Sequence, residues 1–173
     1  MSDYRGQLAT PADALRYMLG GKATITVQSR KTGARYTYKL SRAREIKEGQ
    51  SELDVPIFVS VLSGNNNDDD YRYMCCLFAS VGDDAAAGGR APVWTRGSKV
   101  AADAPSARAF KWMWGALAMV EATERDNPYG LGATHRWDQM EIWHEGSCSR
   151  CGRTLTVPES IATGLGPVCA SRM

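Results

Sequence analysis

Long hydrophobic runs are what this sequence most plainly lacks. The longest, Ile57–Leu62 and Met113–Val120, fall well short of the ~18 residues a membrane-spanning helix needs, so no transmembrane segment is expected. The opening stretch MSDYRGQLATPADAL has no basic patch followed by an apolar core and no cleavage site, which predicts a cytoplasmic protein. Histidine is scarce, with only His135 and His144. HExxH is missing, His144 and Glu145 are adjacent, and Ser147 rather than Pro precedes Cys148. Neither a metalloprotease nor a nucleobase-deaminase pattern is therefore present. G-x4-G-K-[ST] and G-x-G-x-x-G are absent too, which leaves nucleotide hydrolysis and dinucleotide binding unsupported. A protein without enzymatic activity is expected, with a zinc hydrolase as the lesser reading. Five cysteines, three of them near the C-terminus, argue against a secreted disulfide framework.

Enough remains to build a core. Of 173 residues 43% are hydrophobic and 23% charged, with five Trp, seven Tyr and three Phe. That composition excludes wholesale disorder and suits one compact domain, or one domain with a small appendage. The net charge of +2 conceals a segregation. Residues 1–50 carry ten Lys/Arg against four Asp/Glu, residues 51–87 one against seven, and residues 88–173 ten against eight. A basic face beside an acidic loop follows, and basic faces attract polyanions.

Thr10-Pro11-Ala12-Asp13 reads as a helix start, with Thr10 as N-cap and Pro11 at the first helical position, and Gly20-Gly21 stops that helix. Ala23–Ser29 and Ala34–Leu40 alternate apolar and polar residues around the turn Arg30-Lys31-Thr32-Gly33, a hairpin pattern. Ser41–Asp54 is polar and reads as a linker. Val55–Leu62, read as deeply buried, and Tyr71–Ser80 form two more strands across the Asn/Asp-rich turn Gly64–Asp70. Val81–Ala102 is a long Gly-, Ala- and Pro-rich loop anchored by Trp94. Asp103 caps a helix to about Arg125 that places Phe110, Met113, Trp114, Leu117 and Val120 on one stripe, and Asn127-Pro128-Tyr129-Gly130 breaks it. Gln139–His144 is a last strand. The expected fold is α+β: an antiparallel sheet of about four strands covered by a long helix, with a C-terminal zinc knuckle. The division falls into an α+β domain at residues 1–137 and a knuckle module at 138–173.

The C-terminal cysteines carry the chemistry. Cys148-Ser149-Arg150-Cys151-Gly152-Arg153 has the form of a zinc knuckle, in which two thiolates three residues apart grip one tetrahedral ion. Cys169 follows after 17 intervening residues, behind a Gly164-Leu165-Gly166-Pro167 bend that returns the chain to the metal. A structural zinc takes four ligands. His144 is the expected fourth, with His135 in reserve. A redox-active Cys148–Cys151 pair competes, but such a site opens a helix, and Arg153–Pro158 does not read as one. Cys75 and Cys76 point to opposite faces of a strand and read as small buried hydrophobes.

The stretch from Cys148 to Cys169, CSRCGRTLTVPESIATGLGPVC, resembles a short zinc-knuckle domain of unknown function from bacteriophage, prophage and plasmid proteins. Its pattern is C-x2-C-G-R-x-L-x2-P-x-S-x3-G-x-G-P-x-C, matched throughout. More loosely, Thr26–Tyr38, Phe58–Gly64 and Ala107–Trp114 are similar to the upstream part of uncharacterised mobile-element proteins that end in this module. The resemblance implies zinc held by Cys148, Cys151 and Cys169, and a phage or mobile-element origin, hence the cytoplasm of a bacterial host. It supplies no activity.

Two functions compete. The first is a nucleic-acid-binding accessory protein. Arg30, Lys31, Arg35 and Lys39 lie on or beside one hairpin, and Arg150 and Arg153 add charge if the knuckle sits nearby. Alternation turns Tyr36 and Tyr38 away from Arg35 and Lys39, toward the core. The second is a protein-binding inhibitor of a host defence system or host enzyme, acting through Asp68, Asp69, Asp70 and Trp94.

Overall fold

Strands form where alternation gives the chain one apolar face, and a sheet follows from stacking those faces in register. The computed structural model describes residues 6–64, 69–80, 86–126, 134–156 and 158–172. Six strands pair antiparallel in the order β5-β4-β3-β2-β1-β6. They are β1 (Lys22–Ser29), β2 (Arg35–Arg42), β3 (Ile57–Leu62), β4 (Tyr71–Ala79), β5 (Arg90–Val93) and β6 (Met140–His144). The helices are α1 (Pro11–Met18), α2 (Pro105–Asp126), α3 (Thr134–Trp137), α4 (Pro158–Thr163) and α5 (Pro167–Ser171).

The sheet is wider than the expected four strands, for two reasons. The Gly/Ala/Pro-rich stretch contains β5, whose Pro92 is tolerated because β5 is the sheet edge and needs donors on one side only. At the other edge β6 returns beside β1, with Ile25 opposite His144 and Thr26 opposite Trp143. This strand, placed by the sequence reading at the start of the C-terminal module, pairs in the sheet. The polar linker also begins later than expected, because Ser41 and Arg42 pair with Phe58 and Ile57.

One face of the sheet is packed. Ile25, Tyr38, Leu40, Ile57, Val59, Cys75, Leu77 and Ile142 are buried against Tyr17 and Met18 of α1 and Phe110, Met113, Trp114 and Leu117 of α2. Each such side chain contributes roughly 1.5–3 kcal/mol by leaving water. Thr10 caps α1 by accepting from the Asp13 N–H at 3.1 Å. Asp103 sits one residue too early to cap α2: the Arg108 N–H bonds to Ala104 O at 2.9 Å, so Ala104 holds the cap position and Pro105 the first helical one. Tyr38 ties β2 to α2 by donating to Ser106 O at 2.7 Å, with its ring 5.1 Å from Phe110. Burial pushes the Tyr17 and Tyr38 hydroxyls well above their usual range. The buried Arg90 guanidinium donates to Glu52 O at 2.6 Å, Val55 O at 2.9 Å and Leu77 O at 3.2 Å. It thereby locks β5 to the start of β3.

Residues 65–68 of the acidic turn, 81–85 of the long loop and the helix-breaking stretch 127–130 lie outside the described residues. No described helix is long and apolar enough to cross a membrane.

Candidate metal centre and open sheet face

Three thiols converge at the C-terminus. The knuckle closes on itself through Cys148 N–H to Arg153 O at 2.8 Å and Gly152 N–H to Cys148 O at 2.9 Å. It is pinned to the sheet by the Lys22 N–H, which donates to Ser149 O at 2.6 Å. What the sequence suggested as a bend is the start of a helix: Gly166 is the N-cap of α5, Pro167 occupies the first helical position, and Cys169 follows in the first turn. Gly166 also donates its N–H to the Cys148 sulfur at 3.4 Å. The Sγ atoms of Cys148, Cys151 and Cys169 lie within 4.8 Å of one another, buried, exposed and half-buried in that order. Such a group could hold a metal ion.

Two of the thiols are shifted in opposite directions. Burial pushes the Cys148 thiol up, but N–H groups of Gly166, Cys151 and Arg150 hold it below its usual value, at about 7. Burial and the neighbouring sulfurs push Cys169 up to about 11. Three sulfurs this close cannot all ionise without a compensating cation, and a divalent ion supplies one. Cys75 and Cys76 stand apart. Both are fully buried, and burial lifts their thiols to about 12 and 11.

His144, expected as fourth ligand, does not join the sulfurs. Its Nδ1 accepts the Gly146 N–H at 2.9 Å, and its Nε2 lies 2.6 Å from Ile161 O. The ring is therefore neutral with its proton on Nε2, and both nitrogens are spent on the backbone. Desolvation holds its pKa below the usual value. The reserve candidate, His135, has its side chain outside the described residues.

The basic residues divide. Ser149 meets the start of β1 whereas Arg30 follows its end, so the knuckle and the hairpin tip are separated by about 25 Å of extended chain. Arg150, which donates to Arg172 O at 3.1 Å, and exposed Arg153 thus do not reinforce Arg30 and Lys31. Arg30 is partly neutralised, its Nε being 3.7 Å from the Glu141 carboxylate. Lys31 is exposed on the turn. Arg35 and Lys39 face away from the helices, as does Lys22 by its pairing with Ser41. Tyr36 and Tyr38 face the core side; Tyr38 is fully buried and Tyr36 packs beside it.

On the outer face Lys39 meets aromatics that sequence reasoning missed. Its Nζ lies 4.3 Å from the Tyr71 ring centre. Tyr73 and Phe58 follow on the same face, their rings edge-to-face at 5.7 Å. β3 is not buried on both sides: Phe58 is 44% exposed, and Phe78 on β4 is 40% exposed. Period-two alternation was the available signal, but a register shift between Val59 and Ser60 changes which β4 residues share a face with β3.

The acidic alternative is less well presented. Asp68 lies outside the described residues, and the Asp70 carbonyl accepts from the Ser63 N–H and hydroxyl at 2.8 and 2.9 Å, closing the turn. Asp69 and Asp70 both have partners. Trp94 packs against the core, donates its Nε1–H to Val100 O at 3.1 Å and carries Lys111 Nζ 5.0 Å from its ring. It is a half-buried anchor of the loop.

Fold and site define an α+β protein with a six-stranded antiparallel sheet and a C-terminal cluster of three cysteines that could bind a metal ion. Residues 143–173, which contain that cluster, match a family of unknown function, DUF6011. No curated protein and no solved structure matches the chain.

Proposed function

We propose that this chain is a zinc-stabilised accessory protein of a phage or mobile element that binds single-stranded nucleic acid across the open face of its sheet. One observation carries the reading: Lys22, Arg35 and Lys39 on β1 and β2 share a face with Tyr71, Tyr73, Phe58 and Phe78 on the adjacent strands. Cations on one strand suit a phosphate backbone, and rings on the next suit unpaired bases, each stacked base contributing about 1–3 kcal/mol. Of the four basic hairpin residues, Arg35 and Lys39 belong to this seat, while Arg30 and Lys31 stand at the turn. Zinc suits three thiolates because it is borderline-soft and tetrahedral. Its role here is structural: it would join α5 to the knuckle, and through Ser149 to β1.

Fluorescence anisotropy with labelled single- and double-stranded DNA and RNA, at low and near-physiological salt, tests the reading. Preference for single strands, weakening as salt rises, supports it. No binding at low salt overturns it and favours a protein partner covering the exposed Phe58, Phe78 and Val93.

A further inference from the structure

On the helix side of the sheet, beneath the hairpin tip, a cavity of about 270 Å³ opens between β1, β2, β6 and α2. Val27 and Met140 line it from the strands, and Tyr36 and Trp112 bring two aromatic rings to it. Lys31, on the tip, also lines it. Its volume lies below the roughly 300–1,000 Å³ of sites that enclose drug-sized ligands, so it suits a single ring system better than a whole cofactor.

The charge around the cavity narrows the occupant. Arg30 adjoins Lys31 on the turn, Arg108 lies one helical turn before Trp112, and the Arg136 guanidinium is 5.9 Å from the Trp112 ring. Opposing them are Glu141, already beside Arg30, and Asp138. An aliphatic occupant would use the apolar lining and leave the cations idle. A planar base on an anionic backbone uses both, through stacking on Tyr36 or Trp112 and phosphate contact at Lys31 and Arg108.

We infer that this cavity is a nucleobase slot, which receives one base of a strand bound along β2. The inference rests on the proposed nucleic-acid function and deepens it. A strand following Lys39 to Arg35 runs toward the hairpin tip, where Lys31 lines the cavity. Recognition there is of one position in the bound strand, unlike the sequence-tolerant stacking on the outer face.

The test uses the full chain and a set of short oligonucleotides, each with one abasic residue at a different position. Wild type, Trp112→Ala and Trp112→Phe are compared by anisotropy. Trp112 is 37% exposed, so its truncation leaves the core intact. Wild type should lose roughly tenfold in affinity when one particular position is abasic. Trp112→Ala should bind the intact strand more weakly and lose that dependence, and Trp112→Phe should retain it. Binding indifferent to every abasic position, or equally position-dependent in Trp112→Ala, overturns the slot and leaves the outer-face reading standing. No binding of any oligonucleotide overturns both.

Discussion

Gly152 and Gly164 have similar backbones and unequal surroundings. Their φ angles are +80° and +73°, in the left-handed region that costs an L-residue roughly 1–2 kcal/mol. Beyond Gly152 the nearest atom is Lys22 Cδ, 3.8 Å from where a Cβ would sit, whereas a Cβ at Gly164 runs into Tyr17 Cδ2. Gly152→Ala should therefore cost about 1–2 kcal/mol and Gly164→Ala distinctly more, since the buried Tyr17 ring has nowhere to go. Chemical denaturation of the two variants checks the order; equal losses contradict the close approach. His144 supplies a pH test. Desolvation lowers its folded pKa, so below the unfolded value of about 6.5 the unfolded chain binds the proton more readily. The stability that neutral His144 provides is full above that value and is lost as pH falls through the lower folded pKa. Between pH 7.5 and 5.5 the metal-free wild type should lose more stability than metal-free His144→Gln. Identical losses contradict the neutral, backbone-bonded ring. Spacing alone suggested His144 as a ligand because a sequence does not reveal that Gly146 and Ile161 occupy both its nitrogens.

At the scale of elements, the hairpin of β1 and β2 was legible from alternation and a glycine-bearing turn, and α1 from its Thr-Pro start. β5 was not, because four residues containing a proline carry no strand signal of their own. Its place depends on Arg90, whose side chain binds carbonyls contributed by Glu52, Val55 and Leu77, while its own carbonyl accepts the Trp114 indole N–H at 2.9 Å. Arg90→Ala leaves three carbonyls short of a donor and should destabilise the protein by about 2–4 kcal/mol. In hydrogen exchange β5 and the Glu52–Asp54 turn should lose protection first; loss confined to unrelated elements contradicts this role. α5 was hidden for a related reason. Gly-Pro reads equally as a bend or as a helix cap with its first residue, and only the placement of Cys169 in the helix's first turn separates them.

Across the whole molecule, the cysteine-bearing segment is fastened to the rest of the fold. Besides the Lys22–Ser149 bond, the Arg16 guanidinium of α1 donates to Ala170 O at 2.9 Å, and His144 Nε2 at the end of β6 lies 2.6 Å from Ile161 O. Removing the metal with a chelator should therefore loosen residues 145–172 and also α1 near Arg16, while β2, β3 and β4 stay protected from exchange. Unchanged protection in the module would mean that the thiols hold no structural ion. The three cysteines were legible because spacing survives folding. The outer face was not, because it brings Lys39 and Tyr71 together from strands 32 positions apart, and no local pattern encodes that pairing.

The salt dependence of binding checks whether the outer face is the seat proposed for a nucleic-acid backbone. Affinity for a single-stranded oligonucleotide should fall as a power of salt concentration, each neutralised phosphate adding about 0.7 to the slope. In the double variant Arg35→Gln, Lys39→Gln the slope should shrink by about 1.4, with the fold unchanged. An unaltered slope, or no binding by the wild type at low salt, rules out that seat.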